Sequence, residues 1–253
     1  MAGLMNLSSK WDGLSDHLIA QFYEVQRTGT DEWSPAGGPT VYAPLSEASM
    51  EMTLDWQSPF DNSSPENRAP ALMAMLQSGQ LQPVMDAVMG EQSGAAQSSN
   101  AYLSQYEGRT GITKLNSTQV FNGMPPVKIQ CTALFRAWDN AVEEVENPVD
   151  QLFAWALPQS LSKDGSLIAR GALTAGGDMS HVAALMPSLS PVKIAMIYKG
   201  RCYSPLVIES INYQIDSPVN SDGHFVRLPV SMTLCTLTAL DKDDWANSRI
   251  TSL

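Results

Sequence analysis

Apolar and polar positions alternate most sharply in the last quarter of the chain. In 226-VRLPVSMTL-234, Val226, Leu228, Val230, Met232 and Leu234 fall on one side, and Arg227, Pro229, Ser231 and Thr233 on the other. Period two over this length predicts a half-buried antiparallel strand. The preceding run, 206-LVIESINYQI-215, predicts another strand whose odd positions Val207, Ile211, Tyr213 and Ile215 share a face broken only by Glu209. Between them, 216-DSPVNSDGH-224 has the Pro, Asn, Asp and Gly of an elaborated turn. With the stretch from Pro191, the segment to Leu240 reads as three strands.

The middle of the chain repeats the signal. In 127-VKIQCTALFRAW-138, Val127, Ile129, Cys131, Ala133 and Phe135 alternate with Lys128, Gln130, Thr132, Leu134 and Arg136. Asn147-Pro148 then reads as a cap and first-turn proline. Val149, Leu152, Phe153, Ala156 and Leu157 follow at the spacing of one helix face, which stops before Pro158. Upstream, 50-MEMTLDW-56 alternates as a strand. The run 16-DHLIAQFYEVQ-26 reads as a short helix with Asp16 as cap and Leu18, Phe22 and Val25 on one face. A Gly/Pro bend is expected at 35–39. Ser64-Pro65 opens a Met/Ala/Leu-rich helix through Leu76, and a further helical piece covers Pro83 to Met89. The stretches 50–76 and 129–157 echo each other faintly in order of elements, below the level of a repeat.

From Gly90 to Thr113 periodicity is lost in a Ser/Gly/Gln/Asn-rich stretch, and a loop of that length is commonly functional. Tyr102, Leu103 and Tyr106 within it suggest a segment that orders against a partner. These elements predict a β-dominated α+β fold, an antiparallel β-sandwich with flanking helices. Residues 1–30 are expected as an N-terminal arm, and 31–253 as one β domain with a long flexible loop at 90–113.

Composition narrows the classes. The chain has 253 residues, 43% of them hydrophobic, enough for a sizeable core. It has no apolar run of about 18 residues that would span a membrane, and its first residues lack a signal peptide pattern. Assembly in a cytoplasm is expected. Cys131, Cys202 and Cys235 are too few for a disulfide framework and read as buried thiols. A formal charge of −11 argues against a surface that grips nucleic acid. It is compatible with a conduit, since an acidic wall keeps a polyanion from sticking.

Candidate chemistry is sparse. His17, His181 and His224 are far apart in sequence. Asp178, Ser180 and His181 invite a triad reading, but triads are defined by three-dimensional geometry. The acidic run Asp241, Asp243 and Asp244 lacks the spacing of a cation loop and reads as a solvated strand exit. Glu143 and Glu144 suit a helix N-terminus. No nucleophile elbow, zinc helix, phosphate loop, dinucleotide glycine pattern or paired-cysteine motif is present. No catalytic residue, cofactor or metal site is expected. An alternative reading, a β-sandwich hydrolase, would use Asp178, His181 and the 241–244 cluster in one deep pocket.

Two segments resemble the tail-tube-type proteins of contractile-tailed bacteriophage baseplates: 119–161 and 191–237. The resemblance rests on FNGMPPVKI leading into a strand, the Glu/Val-rich approach to Asn147-Pro148, and SPLVIESINYQIDSP…DG before the final strand. It covers about residues 117–240. It implies a tail-tube-type β-sandwich in a homohexameric ring, a tail tube initiator or adaptor joining the central hub to the tail tube protein. The tape measure and baseplate wedge would be further neighbours. The genome would pass through the lumen without specific binding, and no membrane would be involved. The protein would reside in the virion, assembled in the host cytoplasm. A capsid or decoration protein is the neighbouring alternative.

Overall fold

The structure is a computed structural model, described over residues 6–30, 32–57, 118–162, 186 and 188–250. The chain divides into two compact units, one of Met1–Thr53 with Pro125–Leu253, the other of Leu54–Met124. The fold is β-dominated α+β, as the alternation predicted. The expected helices at 65–76 and 83–89, the loop 90–113 and the Asp178/His181 pair lie outside the described residues.

In the larger unit, β1 (Asn6–Ser8), β2 (Ile19–Arg27), β3 (Trp33–Glu51), β6 (Lys128–Arg136), β7 (Lys193–Tyr198), β8 (Arg201–Tyr213) and β9 (Arg227–Thr236) form one sheet. It closes on itself. The order runs β3-β2-β7-β8-β9-β6, and β6 pairs back onto β3, every step antiparallel. β1 adds to β3 in parallel. Two strands serve both layers. The first part of β3 pairs with β2 and its end, Leu45–Glu51, pairs with β6. The first part of β8 pairs with β7 and the remainder, from Leu206, with β9. Phe22, Val41 and Met196 of one layer meet Ile129, Phe135, Val230 and Leu234 of the other in a single core.

Local irregularities let these strands change layer. In β3 the register shifts between Ser46 and Ser49, and Glu47 adopts φ +53°. In β8 it shifts between Ile208 and Ser210, so Glu209 is the extra residue of a bulge. This corrects the expected face of 206–215. Before the bulge Leu206 and Ile208 point to the core; after it Ile211 and Tyr213 do. Val207 does not join that core, and Ile215 lies past the strand, exposed. The Gly/Pro bend is a bulge inside β3, where Tyr23 pairs with Thr40 but Val25 with Pro35, and Gly37 takes φ +80°.

The helix expected over 16–26 is a correction. Only Asp16–Leu18 makes a helical turn, preceded by Ser15 without a side-chain cap, and β2 follows. Leu18, Phe22 and Val25 fit a helix face, yet Ala20 and Phe22 also fit a strand. Neighbours β3 and β7 on both sides decide for the strand, a tertiary override of local pattern. Within the expected N-terminal arm, the described strands β1 and β2 belong to the sheet. The 50–56 strand is also interrupted: β3 ends at Glu51, and residues 52–54 have no regular structure.

The smaller unit, which the single-domain expectation did not separate, shows β4 (Asp55–Gln57) paired antiparallel with β5 (Val120–Gly123). Trp56 and Phe121 meet there with ring centroids 5.3 Å apart.

Helix α1 (Asn147–Ala156) starts earlier than Asn147-Pro148 implied, through a wide turn at Val142–Glu146. Its cap is Asn140, whose Oδ1 accepts from the amides of Val142 at 3.1 Å and Glu143 at 3.4 Å. The buried Glu144 carboxylate accepts from the amides of Trp138 (2.6 Å), Asp139 (3.3 Å) and Asn140 (3.4 Å). Val149, Leu152 and Trp155 are buried, whereas Leu157, expected on that face, is exposed where the helix ends. Phe153 packs edge-on against Tyr213 at 5.4 Å.

Candidate functional site: the polar face of the second layer

β6 and β9 pair in unbroken register from Lys128↔Cys235 to Arg136↔Arg227. Their alternation buries one side and sends the other outward. The bulges in β3 and β8 bring further residues into the same rows. One row reads Glu51, Lys128, Cys235, Val207; the next Ser49, Gln130, Thr233, Ser210; the third Ser46, Thr132, Ser231, Asn212. The second and third rows are all hydroxyl and amide side chains, with Thr132 and Ser231 hydroxyls 3.1 Å apart, and a fourth pair, Leu134 with Pro229, is apolar.

Charge collects at the two ends of this face. At one end Lys128 Nζ donates to Glu209 Oε1 at 2.7 Å, and that bond raises the lysine pKa. At the other, Arg136 lies directly across from Arg227, its guanidinium 4.3 Å from the ring centroid of Trp138.

The flanks of the face are the two shared strands. Over Leu45–Glu51, β3 pairs with β6 on one side, and over Val207–Tyr213, β8 pairs with β9 on one side. Among the described residues no strand occupies the second side of either. In the closed order these strands stand opposite one another and run in opposite directions.

A cleft of about 630 Å³ lies elsewhere, between the start of β8 and helix α2 (Lys242–Asn247), with Trp33, Tyr203, Leu240 and Trp245 in its wall. Arg201 stacks on Trp245 at 3.9 Å and donates to the Ser248 hydroxyl at 2.6 Å. Cys202 borders the cleft, but burial pushes its thiol pKa up despite the Tyr23 hydroxyl 3.7 Å away. A protonated thiol is a poor nucleophile.

The acidic run expected as a strand exit instead caps α2. Asp241 accepts from the amides of Asp243 (2.8 Å) and Asp244 (2.7 Å), while Asp244 accepts from the Asp241 amide (3.0 Å). His224 sits 3.0 Å from Glu146, and His17 is exposed in the Asp16–Leu18 turn. Among the described residues no three His, Cys, Asp or Glu side chains are placed to hold a metal. No helix among them is long and apolar enough to cross a membrane.

Sequence reading missed Ser46, Ser49, Ser210 and Asn212 as members of the polar face, because both bulges change strand parity. The signal was Glu209, the one position that broke the expected alternation. The chain matches no family model and no curated protein.

Proposed function

We propose that the protein is a structural subunit of a phage tail baseplate, a homohexameric ring linking the central hub to the tail tube. The observation that supports this most is the placement of β3 and β8. A half-paired strand is a template for another chain, and ring closure removes that liability. Because the two strands oppose each other and run antiparallel, a copy rotated about an axis along the strands would offer β8 to β3 with antiparallel polarity. The second layers would then join into one barrel whose wall is the hydroxyl and amide face, past which DNA slides.

Native mass measurement, with negative-stain imaging of the same sample, tests this reading. A six-subunit ring with an open centre is expected. Ser49→Cys mixed with Ser210→Cys or Asn212→Cys should cross-link between subunits on oxidation, while each alone should not. A protein that stays monomeric at high concentration and forms no mixed cross-link would overturn it.

A further inference from the structure

We propose that Arg136 and Arg227 form a phosphate-backbone contact for duplex DNA at one end of the polar face. Its location on a lumen wall rests on the ring reading; the contact itself stands on local geometry.

The two arginines are directly paired in the β6–β9 register and both exposed. Side chains at such positions start about 5 Å apart, and like charges there are destabilising. In a chain of charge −11, carboxylate partners would be easy to supply. Among the described residues neither arginine has one. Three carboxylates of the segment after β6 are engaged elsewhere: Asp139 with Lys10, Glu146 with His224, and Glu144 with three backbone amides. The opposite end of the face shows the contrast, since Lys128 is matched by Glu209.

Two guanidinium forks side by side suit phosphate oxygens, which they can hold bidentately. Arg136 lies over the exposed Trp138 ring, which limits the conformations lost on binding. The rows between the two ends carry no charge beyond them, so the contact would be confined to one rim. DNA would be held weakly there and pass freely along the rest. This departs from a uniformly acidic or neutral wall.

The test is fluorescence anisotropy of a short labelled duplex at low and rising salt, with oligomeric state read by native mass on the same samples. The wild type should bind weakly. R136Q/R227Q should bind about tenfold more weakly, with a salt slope shallower by about two per subunit contact, as expected for two lost phosphate contacts. K199Q, which removes a cation from the β7–β8 turn, should change neither. Equal binding by R136Q/R227Q, or a loss no greater than that of K199Q, would overturn the contact. So would polyglutamate displacing the duplex at equal charge concentration, which would point to an acidic protein instead. A wild-type ring that binds no duplex overturns this contact alone. A monomer that binds duplex through these arginines overturns the ring reading alone.

Discussion

Ser9 supplies the hydrogen bond that Pro148 withholds. Proline has no amide hydrogen for the carbonyl four residues back, which here is Glu144. The Ser9 hydroxyl donates to that carbonyl at 2.8 Å, and its oxygen accepts from the Arg136 amide at 3.0 Å. The helix meanwhile opens into a wide turn, with the Asn147 amide reaching the Val142 carbonyl. One buried hydroxyl thus ties the end of β1 to β6 and to the helix start.

Ser9→Ala should therefore destabilise the protein by about 1–3 kcal/mol, the usual cost of leaving buried partners unsatisfied. Urea unfolding measures it. In a Pro148→Ala background the same substitution should cost less, because the helix then regains its own donor. Equal costs in both backgrounds would show that the two residues are not coupled.

Glu209 should be tolerant of substitution, and its deletion should cost far less than deletion of a residue from an unbulged strand. Glu209→Ala keeps the bulge and loses an exposed ion pair, which salt already screens. Deleting Glu209 removes the extra residue and leaves regular pairing, with Ile208 still opposite Leu234 and Ser210 opposite Thr233, so Ile211 and Tyr213 keep their inward face. Deleting Ser231 from the unbulged β9 instead would turn Met232 and Leu234 outward, because a one-residue slip changes every later face. A Glu209 deletion as damaging to the melting temperature as the Ser231 deletion would disprove the bulge.

That contrast also shows what was legible in the sequence. β6 and β9 follow a strict period of two because they are regular and paired along their length, and there the pattern predicted the core residue by residue. β3 and β8 change layer partway, and a bulge makes period two read as noise. The segment 16–27 contained both a helical and an extended spacing, and only its neighbours in the sheet distinguish them. The Asn147-Pro148 signal was displaced because Asn140 and Glu144, earlier in the chain, meet the unpaired amides first. The polar face was invisible because half its residues come from the strands whose parity shifts.

Alkaline stability should fall between pH 9 and about 11. Burial raises the Cys131 thiol pKa from its ordinary value of 9.0 to about 11, so the folded state keeps a proton that the unfolded chain releases. Stability from this group is complete below pH 9 and is lost as pH rises toward the folded value. A rise of this size corresponds to about 2–3 kcal/mol. Tyr23 and Cys202, both raised by burial, act in the same direction. Cys131→Ala should flatten the decline in a pH series of urea midpoints, whatever it costs at pH 7.

Two leucines at the α1 helix separate the expected face from the observed one. Leu152 is fully buried and Leu157 is 58% exposed. Leu152→Ala should cost about 2–5 kcal/mol, since it removes contacts and leaves a cavity. Leu157→Ala should stay within about 0.5 kcal/mol, as surface substitutions do. Comparable losses for both would place Leu157 back on the packed face.

The polar rows allow the conduit reading to be tested without disturbing the core. Gln130 and Ser210 are exposed, share a row, and are separated by Thr233, so neither faces the other directly. Replacing both with lysine adds two positive charges per subunit to the proposed lumen wall. Folding should be nearly unchanged, within about 0.5 kcal/mol per site. DNA passing such a wall would exchange counterions for lysines and be retained. Particles carrying the double substitution should assemble normally but release their DNA more slowly, and added salt should restore the rate by screening. Normal release at low salt, from rings shown to contain the variant, would mean that this face does not line the channel.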